Sequence, residues 1–156
     1  MKHVILTIVL LLASGLVIAQ TKMSDQLSKT TKMNAQSKIY FAGGCFWGTE
    51  HFMKQINGVT STQVGYANGK TSIKNPTYEQ VCNDNTGFAE TVEVSYDPQQ
   101  ADLKLLLELY FKTIDPTSLN RQGNDRGSQY RTGIYYTNAA DLPIIKEAIE
   151  TLAKKY

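Results

Sequence analysis

Cysteine and histidine are scarce in this chain of 156 residues, with two of each, and tryptophan occurs once. The two cysteines, Cys45 and Cys82, stand far apart, so the Cys-x-x-Cys spacing of zinc sites and thioredoxin-type redox motifs is absent. The sequence therefore predicts no metal site. Positive charge is not in excess either, because 16 lysines and arginines accompany 14 acidic residues and are scattered along the chain. Nucleic acid is therefore not a predicted partner.

One long apolar run, residues 4–18, follows Lys2 and His3 at the amino terminus. This pattern predicts a signal peptide over residues 1–19, cleaved near Ala19, and hence export to a periplasm or out of the cell. An uncleaved membrane anchor is the competing interpretation, since the run is only slightly shorter than the roughly 18 to 20 residues that span a bilayer.

The residues after this run divide into a polar leader and one domain. Residues 20–37 have almost no apolar periodicity and are predicted to form a flexible leader. Residues 38–156 are predicted to form a single domain, large enough for a core without metal or disulfide staples.

Hydrophobic periodicity in the domain predicts the element order βαββαβα. The clearest strand, residues 90–96, alternates valine and tyrosine with polar residues, and residues 102–113 place leucines and aromatics on one helix face. Further strands are predicted at 38–42, 61–66 and 132–136, with helices at 46–55 and from about Asp141 onward. This order predicts an α+β fold, a ferredoxin-like split βαβ sandwich of two layers with helices packed on a mixed or antiparallel sheet.

Cys45 lies where the first predicted strand passes through Gly43 and Gly44 into a helix. Unsatisfied backbone N–H groups at a helix start favour a thiolate over a thiol, which predicts a reactive cysteine. Phe46 and Trp47 would form an apolar wall beside it. The alternative is that Cys45 is a small buried hydrophobe at a tight turn.

Two cysteines in an exported protein would by default form a disulfide. We predict instead that Cys45 is free, because a permanent bridge would block the reactivity that its setting favours. Cys82 is interpreted as a buried spectator, with a reversible redox role as the alternative.

Three polar clusters lie in or beside irregular segments, at residues 75–79, 86–90 and 120–131. Each cluster alone is typical of a solvated loop. Together with the thiol of Cys45, however, they supply the carboxyl group of Glu90 and the phenols of Tyr78 and Tyr130. This set of groups suits attack on an electrophile and protonation of the oxygen that leaves.

The motifs in these segments resemble those of the class A peptide-methionine sulfoxide reductases, from about Ile39 to the end of the chain. The matching motifs are Gly-Cys-Phe-Trp at 44–47, Asn-Pro-Thr-Tyr at 75–78, Thr-Gly-x-Ala-Glu at 86–90 and Arg-Gln-Gly-Asn-Asp-x-Gly-x-Gln-Tyr-Arg at 121–131. By position, the resemblance implies Cys45 as the nucleophile and a pocket for the substrate methyl group at Phe46 and Trp47. The sulfoxide oxygen would be bound by Glu90, Tyr78 and Tyr130, with Asp125 supporting the site.

The resemblance also implies an activity, reduction of the S epimer of methionine sulfoxide through a cysteine sulfenic acid. Such an enzyme repairs oxidised proteins, uses an external thiol reductant such as thioredoxin and needs no bound cofactor; a monomer is expected. Domains of this family usually continue past the helix that closes at Tyr156, so the chain is expected to be either a fragment or a short form.

Two other functions remain open from the residues themselves. Another thiol enzyme, such as a peroxidase, would share Cys45 but would not need the aromatic wall. A secreted binding domain without catalysis would carry a Cys45–Cys82 bridge and no free thiol.

Overall fold

A computed structural model describes residues 36–83 and 86–156 of the chain. Its strands are β1 (Ser37–Ala42), β2 (Val59–Ala67), β3 (Ala89–Tyr96), β4 (Arg121–Gln122), β5 (Asp125–Arg126) and β6 (Gly133–Tyr135). Its α-helices are α1 (Phe46–Met53), α2 (Tyr78–Asn83), α3 (Leu103–Phe111) and α4 (Asp141–Ala153), and a 3₁₀ helix covers Ser128–Tyr130.

The predicted signal peptide, residues 1–19, and nearly all of the predicted leader lie outside the described residues. The first strand begins at Ser37, the last residue assigned to that leader. Within the described ranges, no helix has both the length and the apolarity that crossing a bilayer requires.

Four strands form one sheet in the order β2-β3-β1-β6, and every neighbouring pair is antiparallel. Since β1 and β2 both run opposite to β3, they are parallel to each other with β3 between them. This is the split βαβ arrangement, with α1 as its crossover, and it confirms the predicted α+β fold. The sheet is wholly antiparallel.

One face of this sheet carries the core. Ile39 and Phe41 of β1 pair across the strands with Val94 and Val92 of β3, and all four side chains are fully buried. They share a hydrophobic cluster with side chains from three helices, namely Met53 of α1, Leu106 and Leu107 of α3, and Ile145 of α4. The helices therefore cover the sheet on this side, as the apolar helix faces predicted.

The helix α2 was not predicted, since residues 67–89 were assigned to a long irregular segment. With six residues, α2 is too short for helical periodicity to appear. Its start carries a reciprocal cap, in which the Thr77 N–H donates to Gln80 Oε1 (2.9 Å) and the Gln80 N–H donates to Thr77 Oγ1 (3.3 Å). This is a Thr-x-x-Gln capping box, a signal that was present in the sequence.

Tyr110 ties the core to the segment that bears Cys45. Its ring stacks on Phe41 with centroids 4.6 Å apart, and its hydroxyl donates to the Ala42 carbonyl (2.6 Å) and accepts from the Gly133 N–H (3.2 Å). The end of β1 and the start of β6 are thus joined directly beneath the turn that follows Ala42.

Candidate active site

Two glycines turn the chain from β1 into α1 and place Cys45 at the N-cap position of that helix. Gly44 has φ of +81°, and a Cβ there would lie 2.7 Å from Cβ of Gln122. At Gly43, a Cβ would lie 2.9 Å from Cγ2 of Ile114. Both positions therefore require glycine, because larger residues would collide with the 114–122 segment.

Cys45 itself is half-buried, and its carbonyl accepts the first hydrogen bonds of α1, from the N–H groups of Gly48 (3.2 Å) and Thr49 (3.4 Å). Its side chain makes no capping hydrogen bond. The thiol thus lies at the positive end of the α1 dipole.

Glu90 lies beside this helix start. The Phe46 N–H donates to Oε2 of Glu90 over 2.9 Å, so the acid is connected to the residue directly after Cys45. Only 2% of Glu90 is exposed. Burial raises the pKa of the Glu90 carboxyl, the hydrogen bond from Phe46 opposes that rise, and the negative charge of Asp125 adds to it.

Asp125 lies in β5, where it pairs with Gln122 of the β4 strand. It is close enough to Glu90 for its charge to disfavour a second carboxylate. The β4–β5 hairpin therefore contributes two residues to the site: Asp125 lies near Glu90, and Gln122 lies against Gly44.

The aromatic wall has a buried part and an exposed part. Phe46 is buried, whereas 64% of Trp47 is exposed, and their rings meet edge to face with centroids 5.3 Å apart. Phe46 also packs against Tyr66, at 5.9 Å between centroids. Apolar surface is thus available next to the thiol and open to solvent.

Tyr66 is a site residue that sequence reasoning missed. It pairs with Glu90 across β2 and β3, and its pKa is raised, chiefly by burial and further by the charges of Glu90, Cys82 and Tyr130. The sequence does indicate its position: Tyr66 lies two residues after Val64 in β2, so both side chains are on the same face of the sheet, the face that the helices cover.

The two predicted phenols come together. The hydroxyls of Tyr78, on α2, and Tyr130, at the end of the 3₁₀ helix, lie 3.4 Å apart. The pKa of Tyr78 is raised, mainly by its hydrogen bond with Tyr130 and further by the proximity of Cys82. The Tyr78 side chain is 55% exposed, so its hydroxyl is accessible to a ligand.

Cys82 was interpreted as a buried spectator, but it is half-buried and lies beside Tyr78. The reason is that α2, a single short helix at the surface, places positions 78 and 82 one turn apart on the same face. Cys45 and Cys82 are both free thiols.

The predicted residues thus form two connected groups. The first contains Cys45, Phe46, Trp47 and Glu90, and the second contains Tyr78 and Tyr130. The strand β3, which carries Glu90, packs against the 3₁₀ helix that ends at Tyr130, so the two groups lie beside each other. No cluster of three or more potential metal ligands occurs among the residues that the structure describes.

A separate cavity of about 810 Å³ lies between α3 and α4, lined in part by Phe111, Ile114, Ala148 and Leu152. None of the seven predicted site residues lines it. Its size alone is not a reason to assign it the chemistry, because it contains neither a thiol nor a buried acid.

Comparison with known proteins gives consistent results. Residues 37–156 match the family model described as peptide methionine sulfoxide reductase. A peptide methionine sulfoxide reductase MsrA of Lachnoclostridium phytofermentans is 63% identical over 118 residues, which cover 76% of this chain and 70% of that protein.

Solved structures agree in fold. Methionine sulfoxide reductase A of Corynebacterium diphtheriae superposes with a TM-score of 0.68 at 36% identity, over 78% of this chain. The match spans 60% of the length of that protein. Mxr1 from Saccharomyces cerevisiae in complex with Trx2 gives a TM-score of 0.55 at 30% identity, over 77% of this chain and 68% of that one.

Proposed function

This chain belongs to the class A peptide methionine sulfoxide reductase family, and on that premise we propose that it reduces the S epimer of methionine sulfoxide through a sulfenic acid on Cys45. It is thus an oxidoreductase that depends on thiols. The observation that carries the proposal is the 2.9 Å hydrogen bond from Phe46 N–H to Glu90, which holds a buried acid beside the nucleophile.

The first step is oxygen transfer. The Cys45 thiolate attacks the sulfoxide, the S–O bond of the substrate breaks, and the oxygen moves to Sγ together with a proton from Glu90. Methionine gains two electrons and leaves, Cys45 loses two electrons and becomes a sulfenic acid, and Glu90 becomes a carboxylate. This step needs a carboxyl that holds its proton towards neutral pH, and burial of Glu90 acts in that direction.

The remaining site residues have roles in binding. In this proposal the hydroxyls of Tyr78 and Tyr130, which lie 3.4 Å apart, donate to the sulfoxide oxygen and make the sulfur a better electrophile. The rings of Phe46 and Trp47 offer an apolar surface for the substrate methyl group. The negative charge of Asp125 adds to the rise in the pKa of the Glu90 carboxyl that burial produces.

The second stage returns Cys45 to its reduced form. A thiol attacks the sulfenic acid, releasing water and forming a mixed disulfide, and a second thiol then displaces Cys45. We propose an external dithiol of the thioredoxin type as the reductant, which is supported by the complex of Mxr1 with Trx2. No bound cofactor is required by this scheme.

The proposed biological setting is repair of oxidised proteins by an exported monomer. Exposure of Trp47 and Tyr78 supports a substrate that enters as a side chain of another protein. Export is supported by the apolar run at residues 4–18, with cleavage near Ala19.

The test is to incubate the protein with peptides containing either the S or the R epimer of methionine sulfoxide, with dithiothreitol as reductant. We expect reduction of the S epimer alone by the native protein and none by Cys45→Ser. Consumption of peroxide without reduction of either epimer would instead indicate a peroxidase. No turnover by protein that is demonstrably folded would contradict the proposal.

A further inference from the structure

The guanidinium of Arg131 connects three segments of the chain that meet at the site. Its Nη1 donates to the Ser128 carbonyl (2.9 Å), and its Nη2 donates to the carbonyls of Gly87 (2.9 Å) and Asn68 (3.3 Å). All three acceptors are main-chain oxygens, and Arg131 is half-buried. The side chain therefore fixes backbone rather than pairing with an acid.

Each acceptor adjoins a part of the catalytic group. Gly87 lies three residues before Glu90, Ser128 begins the 3₁₀ helix that ends at Tyr130, and Asn68 directly follows β2. The segment that leads to the acid is thus joined to the segment that carries a phenol.

The same junction is reinforced between two loops. The Lys70 N–H donates to the Thr86 carbonyl over 2.9 Å, and the ring of Phe88 lies against Gly69 so closely that a Cβ has no room there. These contacts hold residues 68–70 to residues 86–88, but neither reaches the 3₁₀ helix. Arg131 makes that third connection.

We propose that Arg131 is a positioning residue that holds Glu90 and Tyr130 at a fixed separation by hydrogen-bonding the three main-chain segments around them. This proposal rests on the function proposed above for Glu90 and Tyr130. It adds a residue that contacts no reacting atom.

Arginine suits this role for reasons of geometry. Its planar guanidinium presents five N–H donors in a rigid fork, so that one side chain can serve three acceptors from different directions. Lysine has three donors on a single flexible nitrogen and cannot span the same carbonyls.

A spectroscopic test follows from the hydrogen bond between Phe46 and Glu90. The Phe46 amide donates to the carboxyl, so its ¹⁵N and ¹H chemical shifts should report ionisation of Glu90 in a pH titration. We expect Arg131→Met to move the midpoint of that titration downward, because a loosened 86–88 segment lets water reach the acid. Arg121→Met is the matched control, since among the described residues the Arg121 side chain hydrogen-bonds only the Gly123 carbonyl in its own hairpin. Its midpoint should equal that of the native protein.

Kinetics provide the second readout. For reduction of the S epimer, we expect Arg131→Met to lower kcat by about tenfold to a hundredfold, with KM changed less than about threefold, because misplacement of catalytic groups acts on the transition state. Arg131→Lys should recover part of that loss. It also serves as the test variant should Arg131→Met fail to fold.

An unchanged Phe46 midpoint in a folded Arg131 variant would overturn the proposal, as would a kcat equal to that of the control. A lowered melting temperature with the native midpoint and kcat would assign Arg131 to stability alone, which also overturns it. If the native protein reduces neither epimer, the proposed function fails, but the Phe46 titration still decides whether Arg131 positions Glu90.

Discussion

Glu90→Gln is the substitution that tests the proposed chemistry most directly. Glutamine has nearly the shape of glutamic acid, and its amide oxygen can still accept the hydrogen bond from Phe46 N–H, which is 2.9 Å long in the native protein. The substitution therefore removes the transferable proton and little else. Loss of a general acid costs about 10²- to 10⁴-fold in rate, equivalent to about 3 to 5 kcal/mol of transition-state stabilisation.

The proposed role of Glu90 also predicts the direction in which kcat changes with pH. Glu90 must be protonated to act, and its pKa is raised by burial and by Asp125. The native enzyme should therefore lose activity as pH rises through that raised value, giving an alkaline limb in the profile. Residual activity of Glu90→Gln should lack this limb, because glutamine does not ionise in this range.

Glu90→Gln should lower activity but change stability in the opposite direction. A carboxyl whose pKa is higher in the folded state than its ordinary 4.5 stabilises the fold fully below that ordinary value. It loses this contribution as pH rises through the folded pKa, at about 1.4 kcal/mol for each unit of difference. Glu90→Gln should therefore gain stability relative to the native protein as pH rises.

The assays are kcat for a peptide containing the S epimer, between pH 5 and pH 9, and urea denaturation at the two ends of that range. A variant that keeps kcat within about threefold of native would refute the role of Glu90 as acid. A stability difference that does not grow with pH would refute the argument from burial.

Three further substitutions test the surroundings of the site. Tyr110→Phe removes a buried hydroxyl that donates to main chain over 2.6 Å and should cost about 1 to 3 kcal/mol in urea denaturation; a cost below about 0.5 kcal/mol would contradict that contact. Gly44→Ala introduces a Cβ at a φ of +81° and 2.7 Å from Gln122. We therefore expect the free energy of unfolding to fall by at least about 1 kcal/mol and kcat to decrease. An unchanged melting temperature and kcat would contradict the steric argument. Cys82→Ser should still release one methionine per Cys45 in a single turnover without reductant, as measured by chromatography, and failure to do so would place Cys82 in the first step.

The fold was predictable from sequence where periodicity was long enough. Alternation over β3 and the apolar face of α3 each extend over eight or nine residues, and both elements were placed within two residues of their observed ends. The hairpin of β4 and β5 has two residues in each strand, too few for any periodic signal. The hairpin is instead held by local hydrogen bonds, such as the one that the Gly127 N–H donates to the Asn120 carbonyl over 2.9 Å.

The site was predictable in its local part. Gly44, Cys45 and Phe46 are consecutive, so the strand, turn and helix start could be inferred from residue types alone. The contact of Phe46 with Glu90 joins residues 44 positions apart, and neither composition nor spacing predicts such a pairing. The chemistry of the polar clusters grouped Glu90 and Tyr130 with the nucleophile, and the resemblance to a family implied their roles. Neither assigned a role to Tyr66 or Arg131, whose contributions lie in strand pairing and backbone contacts.

Phe46 and Trp47 are adjacent in sequence, yet Phe46 is buried and Trp47 is exposed. Successive helix residues point about 100° apart, so Phe46 can be buried against Tyr66 while 64% of Trp47 remains in solvent. The buried residue donates its N–H to Glu90, and the exposed one leaves apolar area that a bound substrate can cover, at about 25 cal/mol for each Å² removed from water. A ligand with an apolar group beside its oxygen, such as the methyl sulfoxide of oxidised methionine, can use that gain. The same start of α1 therefore supports both the acid proposed to protonate the oxygen and the surface proposed to bind the methyl group.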